Sequence, residues 1–259
     1  MALLFDLGNT ALKWALSGKD GAPHVIVHAT QQGFANKLAL ALRSLNFNRA
    51  YGCSVASHSL TDICTSVFTG MHKPVVWLSS QQTFENEDFI LTNRYRDPAQ
   101  LGSDRWHAAL GAVAFIQDRP LLVIHSGTAM TVDSVIPEGG RRYAFCGGRI
   151  APGVVLMHAS LTQTIPALDK DYSEYDALPK DTASAITTGI IDAHLGVIER
   201  AVRAMQGLGS DPILLLAGGA AKLCAPYLRA EFPNLIQKHN LVLTGIELRA
   251  KVLQKGAPL

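Results

Sequence analysis

The sequence predicts an α/β protein built from two similar halves, and three observations carry that expectation. Short apolar strands alternate with amphipathic helical segments. A strand, a polar turn and a second strand open the chain at residues 2–16, and the same unit recurs at residues 120–136. Both turns carry Gly and Thr: Asp6-Leu7-Gly8-Asn9-Thr10 in the first and His125-Ser126-Gly127-Thr128 in the second.

The elements follow in order. Ala2 to Phe5 is an apolar strand, and Lys13 to Leu16 resumes the extended pattern after the turn. His24 to His28 reads as a third strand. Phe34, Leu38, Leu42 and Leu45 recur at helical spacing and predict a helix over residues 33–46. Ala50 to Val55 is a strand of small residues. Leu60, Ile63 and Val67 mark a second helix with Ser59 as its expected N-cap. Pro74 to Leu78 is a further strand, and Trp106, Leu110 and Ala114 place a helix that begins near Ser103. The pattern then restarts. Pro120 to Ile124, Met130 to Ile136 and Arg142 to Phe145 read as strands, and residues 153–164 and 181–206 as helices. Ile213 to Ala217 is an apolar strand ending in Gly218-Gly219; a helix from Ala220 and a last strand-helix pair close the chain. The expected division lies in Gln117-Asp118-Arg119-Pro120, giving domains 1–117 and 118–259. Two stacked domains of this kind would set both turns across one cleft, a common place for nucleotides.

Composition excludes several classes. A chain of 259 residues with 48% hydrophobic residues can bury a large core. A net charge of +2 is too small for a nucleic-acid surface. No apolar run reaches membrane-spanning length, and no signal peptide is evident at the N-terminus. Cys53, Cys64, Cys146 and Cys224 lack CxxC spacing, so reduced thiols in a cytoplasmic protein are expected rather than a disulfide framework or zinc site. P-loop, GxSxG and HExxH motifs are all missing.

The first turn suits a phosphate. Gly8 lets a backbone approach a ligand, Asn9 and Thr10 offer donors, and Asp6 could hold Mg²⁺ directly or through water. The same residues also suit an ordinary hairpin turn. In Leu101-Gly102-Ser103-Asp104-Arg105-Trp106, Ser103 is a natural N-cap and Asp104 falls in the first helical turn, where the helix N-terminus favours its ionised form. An ionised carboxylate there could accept a hydroxyl proton, and Arg105 suits a carboxylate ligand. A plain first-turn Asp and a surface ion pair remain the alternative. Tyr95-Arg96-Asp97-Pro98 reads as a rigid turn that could lean the phenol over this loop, with an ordinary half-buried aromatic as the alternative. Gly147-Gly148-Arg149-Ile150-Ala151-Pro152-Gly153 reads as a loop entering a helix, able to bind an anion or merely connect. Thr182 could cap a helix or touch a substrate. Gly218-Gly219 could face a flat base or allow close packing. His107, His125, His158 and His194 read as locally satisfied residues rather than metal ligands.

Together these motifs resemble type III pantothenate kinases over nearly the whole chain. The carriers are residues 6–10 with Lys13, Tyr95, Leu101 to Trp106, Gly127-Thr128-Ala129, Thr131-Val132-Asp133, Gly147-Gly148, Pro152-Gly153, Asp181-Thr182 with Gly189, and Gly218-Gly219. The resemblance implies the fold of the actin, Hsp70 and sugar-kinase superfamily, with two ribonuclease-H-like domains. It implies ATP-dependent phosphorylation of pantothenate to 4'-phosphopantothenate, the first step of coenzyme A biosynthesis, in a cytoplasmic homodimer. By position, Asp6, Leu7, Gly8, Asn9, Thr10, Ala11, Leu12 and Lys13 form the ATP phosphate loop, Asp6 positions Mg²⁺, and Thr128 contacts ATP. Tyr95, Gly102, Ser103, Asp104, Arg105 and Thr182 form the pantothenate site, with Asp104 as proton acceptor.

One position departs from the family. His125 stands where the family usually has an Asp that resembles a ligand for a monovalent cation, K⁺ or NH₄⁺. A neutral imidazole is a poor K⁺ ligand, and a protonated one would partly replace the ion's charge, so weak or absent K⁺ activation is expected. Two other readings are weighed. A kinase of the same superfamily acting on a sugar or acetate would share both turns, but Tyr95 with residues 102–105 favours pantothenate. A nucleotide-binding accessory factor for gene expression would need no base, and no basic patch or helix-turn-helix supports DNA contact.

Overall fold

The computed structural model describes residues 1–19, 21–28 and 33–256. In chain order its elements are β1 (Ala2–Leu7), β2 (Ala11–Leu16), β3 (His24–Val27), α1 (Phe34–Leu42), β4 (Arg49–Ser54), α2 (His58–Gly70), β5 (Val75–Trp77), β6 (Thr83–Glu85), β7 (Ile90–Asn93) and α3 (Ser103–Phe115). There follow β8 (Leu121–Ser126), β9 (Ala129–Gly139), β10 (Arg142–Pro152), α4 (Val154–Thr164), α5 (Thr182–Gln206), β11 (Ile213–Ala217), α6 (Ala221–Glu231), β12 (Leu235–Gln237) and α7 (Leu241–Gln254). The contacts divide the chain into two compact units. Unit 1 holds Met1–Gln117, Glu138–Phe145 and His239–Leu259, and unit 2 holds Asp118–Pro137 and Cys146–Lys238.

Unit 1 is built on a sheet in the order β3-β2-β1-β4-β5. β1 runs antiparallel to β2 and parallel to β4. Alternation along β1 decides its two faces. Leu3, Phe5 and Leu7 join Phe34, Leu38, Leu60 and Phe68 of α1 and α2 in one buried cluster. The opposite face carries Asp6, and β1 and β4 there meet α7 and α3. Gly52, opposite Phe5, leaves room for the ring: a Cβ there would lie 2.3 Å from it.

In unit 2 the order β12-β11-β8-β9-β10 recurs, with β8 antiparallel to β9 and parallel to β11. Each unit therefore orders its first five strands as third, second, first, fourth, fifth. Its core gathers Leu122, Ile124, Val132, Ile190, Ile198 and Leu216 around α5 and α6.

Several sequence expectations shift. The N-cap of α2 is Ser57, which accepts from the Leu60 N–H, not Ser59. Gly102 is the N-cap of α3, and Ser103 is already its first residue. Gly147-Gly148 is no helix-entry loop: it lies inside β10, where glycine is tolerated, and Gly153 alone precedes α4. The expected helix over 33–46 is shorter. β6 and β7 are too short to show a periodicity. The division into 1–117 and 118–259 differs from the two units in two places. Residues 138–145 and α7 group with unit 1; residues 257–259 lie outside the described residues.

Two glycines explain where α7 belongs. A Cβ on Gly111 of α3 would lie 2.1 Å from the Leu241 carbonyl oxygen, and one on Gly245 of α7 would lie 2.0 Å from that of His107. Only bare backbone lets the two helices approach so closely. Gly245→Ala is therefore expected to cost about 3 kcal/mol by overpacking, read as a lower denaturant midpoint; a change under about 0.5 kcal/mol would contradict this packing.

Candidate active site

The site in unit 1 begins with strand register. On β1, Asp6 faces Lys13 of β2 on one side and Cys53 of β4 on the other. Cross-strand partners project to the same face, so the three form a row. The Cys53 thiol donates to Asp6 Oδ1 at 3.7 Å. Asp6 is only 6% exposed. Burial raises its pKa from 3.8 to about 6, Lys13 pulls it down, and the neighbouring Asp104 charge pushes it up.

Asp104 enters from the first turn of α3. Its Oδ1 accepts the Arg105 N–H at 2.8 Å. Gly102 makes room for this carboxylate, since a Cβ there would lie 2.7 Å from Oδ1. Burial lifts the Asp104 pKa above the usual range, against the lowering effect of the Arg105 N–H and charge and of Lys13. The helix N-terminus expected to favour ionisation is thus outweighed by burial. Lys13 acts on both carboxylates.

Ser103 anchors the turn. Its hydroxyl donates to the Ser54 carbonyl at 3.1 Å, and Ser80 Oγ donates to the Leu101 carbonyl at 2.7 Å. The next residue, Arg105, is buried. Its Nη1 donates to the Tyr95 phenol at 2.8 Å, and its guanidinium lies 5.7 Å from the Tyr95 ring and 5.8 Å from the Phe145 ring. Tyr95 thus reaches the first turn of α3 through Arg105.

The turn after Asp6 closes by Gly8 N–H donating to the Ala11 carbonyl at 3.1 Å. Asn9 is exposed, while Gly8, Thr10, Ala11 and Lys13 are half-buried. Leu7 and Leu12 belong to the core cluster, so they could offer a ligand only backbone groups.

The remaining predicted residues lie in unit 2. Thr128 is exposed at the β8–β9 turn, and its carbonyl accepts the Gly153 N–H at 2.9 Å. A Cβ on Gly153 would meet Gly127 O at 2.1 Å, and one on Gly218 would meet Ser126 O at 2.1 Å. Gly153 and Gly218 therefore serve close packing of this turn, while Gly219 faces open space. Thr182 opens α5, capped by Asp181 through the Ser184 N–H at 2.9 Å. It borders a 780 Å³ cavity lined by Met157, Leu161, Leu168, Ile186 and Ile190. His125 is half-buried on β8, with its ring beside Gly127.

Sequence reasoning missed Cys53, which carries no motif; only the β1–β4 register gives it meaning. It also missed Arg249 and the reach of His107. His107 is fully buried, with Nδ1 2.5 Å from the Ser103 carbonyl and Nε2 3.2 Å from Arg249 Nη1. Burial and the Arg249 charge hold its pKa down at about 3.

A family model described as Type III pantothenate kinase matches residues 2–204. The type III pantothenate kinase of Thiobacillus denitrificans is 34% identical over 255 residues, covering 98% of each chain. Among solved structures, a Campylobacter jejuni protein assigned to the Baf family of transcriptional activators aligns at TM-score 0.60 and 18% identity over 98% of each chain. A Sinorhizobium meliloti protein assigned as a 2-dehydro-3-deoxygalactonokinase aligns at TM-score 0.58 and 13% identity, covering 98% of this chain and 99% of its own. At these identities the two structures speak for the fold alone.

The raised Asp6 pKa has a sign that can be tested. Folding favours the protonated acid, so stability is full below 3.8 and falls as pH rises to about 6, a loss of about 3 kcal/mol without ligand. Asp6→Asn removes that charge. Without metal or nucleotide it is expected to be more stable than the parent at pH 7 and to lose the advantage near pH 4. Denaturant melts at both pH values check this; an Asn variant less stable at pH 7 contradicts it.

Proposed function

Because the chain belongs to the type III pantothenate kinase family, we propose that it phosphorylates pantothenate with ATP, with Asp104 as proton acceptor and the turn after Asp6 as phosphate loop. One observation carries this assignment: the Ser103 hydroxyl ties the first turn of α3 to the Ser54 carbonyl, next to the Lys13–Asp6–Cys53 row, which brings Asp104 beside Asp6 and Lys13.

The proposed reaction follows from these groups. The primary hydroxyl of pantothenate gives its proton to the Asp104 carboxylate as its oxygen bonds to the γ-phosphorus. The bond from that phosphorus to the bridging oxygen breaks, and ADP leaves. An ionised carboxylate whose pKa is lifted by burial is a better proton acceptor than an ordinary exposed Asp. Gly8, Asn9 and Thr10 are assigned to the phosphates, with the Lys13 ammonium near the developing charge; in such transfers positioning and charge do most of the work. Thr128 is assigned to ATP and Thr182 to pantothenate. Because Tyr95 accepts from Arg105, its own O–H remains able to donate to pantothenate. Gly102 and Ser103 keep Asp104 and Arg105 in register.

Mg²⁺ is assigned to Asp6. Mg²⁺ typically takes one or two carboxylates and completes its shell with water and phosphate oxygens. A single hard carboxylate whose ionisation is opposed by burial fits that habit, and among the described residues no group of three or more acidic, His or Cys side chains offers a fuller cage. When bound, the ion neutralises phosphate charge. For a monovalent cation the donor at position 125 is an imidazole, which does not fit, and no step is assigned to one. A cytoplasmic homodimer is also proposed. Exposed Val155 and Leu156 of α4 and exposed Leu178 support self-association. No helix among the described residues is long and apolar enough to cross a membrane.

Asp104→Asn is expected to lower kcat by 100-fold or more, roughly the contribution of a general base, in a coupled ADP-release assay with pantothenate. Near-normal turnover would remove the base assignment. Replacing Na⁺ by K⁺ is expected to change the rate by less than about twofold, because the carboxylate that would prefer the ion is missing. A several-fold gain would refute the His125 argument.

A further inference from the structure

We propose that Arg249 and His107 form a buried clamp that fixes the first turn of α3, and that both are positioning residues for Asp104. This inference rests on the reading of Asp104 as the base. Arg249 comes from α7, beyond the residues 2–204 matched by the family model.

Hydrogen-bond chemistry fixes the direction of the clamp. A guanidinium has donors and no acceptor. Arg249 Nη1 lies 3.2 Å from His107 Nε2, so Nε2 must accept. A neutral imidazole carries one N–H, which is therefore on Nδ1 and donates to the Ser103 carbonyl. Ser103 is the first residue of α3 and the neighbour of Asp104. The same Nη1 donates to the Ser79 carbonyl. Ser80, next in the chain, holds the Leu101 carbonyl. Arg249 thus grips the Gly102 loop twice: through His107 to Ser103, and through Ser79-Ser80 to Leu101.

The energetics point away from a purely stabilising role. Arg249 is 5% exposed, and among the described residues no carboxylate pairs with it. A buried charge without a counter-ion is costly. The clamp also stands on rigid ground, since Gly111 and Gly245 seat α7 against the α3 backbone at this level. What the arrangement provides is a fixed carboxylate. Small misplacement of a reacting group lowers turnover more than binding.

Arg249→Met keeps the volume and removes the clamp. The expected result is about a tenfold fall in kcat with the KM for ATP within about twofold, in a folded protein. Placed in an Asp104→Asn background, the same change should add no further loss, because the two act through one group. A folded Arg249→Met enzyme with parental kcat, or an equal loss in both backgrounds, overturns the clamp. Two His107 variants decide the matter if Arg249→Met does not fold. His107→Asn keeps a donor near the Nδ1 position but cuts the link to Arg249, and His107→Gln keeps the Nε2 end but cuts the link to Ser103. Each should lose about tenfold in kcat with the KM for ATP within about twofold. Parental kcat in either folded variant contradicts the proposal. Near-normal turnover of Asp104→Asn alone would remove the base assignment itself, and this inference with it, whatever the Arg249 variants do.

Discussion

Everything in unit 1 is arranged around one electrostatic constraint: two carboxylates in a poorly hydrated place, near enough to oppose each other. Water would satisfy an exposed Asp6, but at 6% exposure burial dominates its titration. The surroundings offset that cost only in part. Lys13 stands opposite in register, the Cys53 thiol donates one hydrogen bond, and the Arg105 N–H serves Asp104. An apolar filling would be more stable. Stability given up at such a pair is the pattern of a functional site rather than of a core.

Such a site needs a stiff support, because a displaced carboxylate would relax into water. The support is helix packing at the limit of backbone contact. Gly111 and Gly245 let α3 and α7 meet with no side chain at the crossing. The Arg105 guanidinium, set near the Tyr95 and Phe145 rings, holds the other side of the same turn. Glycine is a poor helix former, at about 1 kcal/mol per residue. Two glycines in helix interiors are therefore explained by the packing they allow rather than by local preference.

The parts of this molecule that were legible in its sequence are the local ones. Both hairpins could be read from apolar alternation and a polar turn, and Asp6 and Asp104 from their places at a strand end and a helix start. Tyr95 was placed over the Gly102 loop because a rigid Arg96-Asp97-Pro98 turn follows it. The misreadings share a cause. Gly147-Gly148 looks like a break, yet strand pairing carries β10 through it. Ser59 is as good a cap by type as Ser57, and only the chain's entry angle separates them. Leu7 and Leu12 sit inside the expected phosphate loop and turn their side chains to the core by strand alternation, which leaves only backbone groups for a ligand. Cys53, His107 and Arg249 gain their roles from contacts across distant segments, for which one sequence holds no periodic signal.

The repeated strand order allows a sharper comparison. In unit 1 the register sets Lys13, Asp6 and Cys53 side by side. In unit 2 the equivalent strands set Thr131, His125 and Ala217 side by side. His125 is thus the topological counterpart of Asp6, flanked by a hydroxyl and a methyl where Asp6 is flanked by an ammonium and a thiol. One backbone plan carries two different chemistries. The first row has a hard anionic oxygen at its centre, the donor type that divalent cations take; the second has no anionic ligand in the row. A sheet with parallel and antiparallel partners brings three distant segments to one point, and the residue types at that point decide what the point can hold. The fold supplies the position twice; only at Asp6 does the sequence place a carboxylate there.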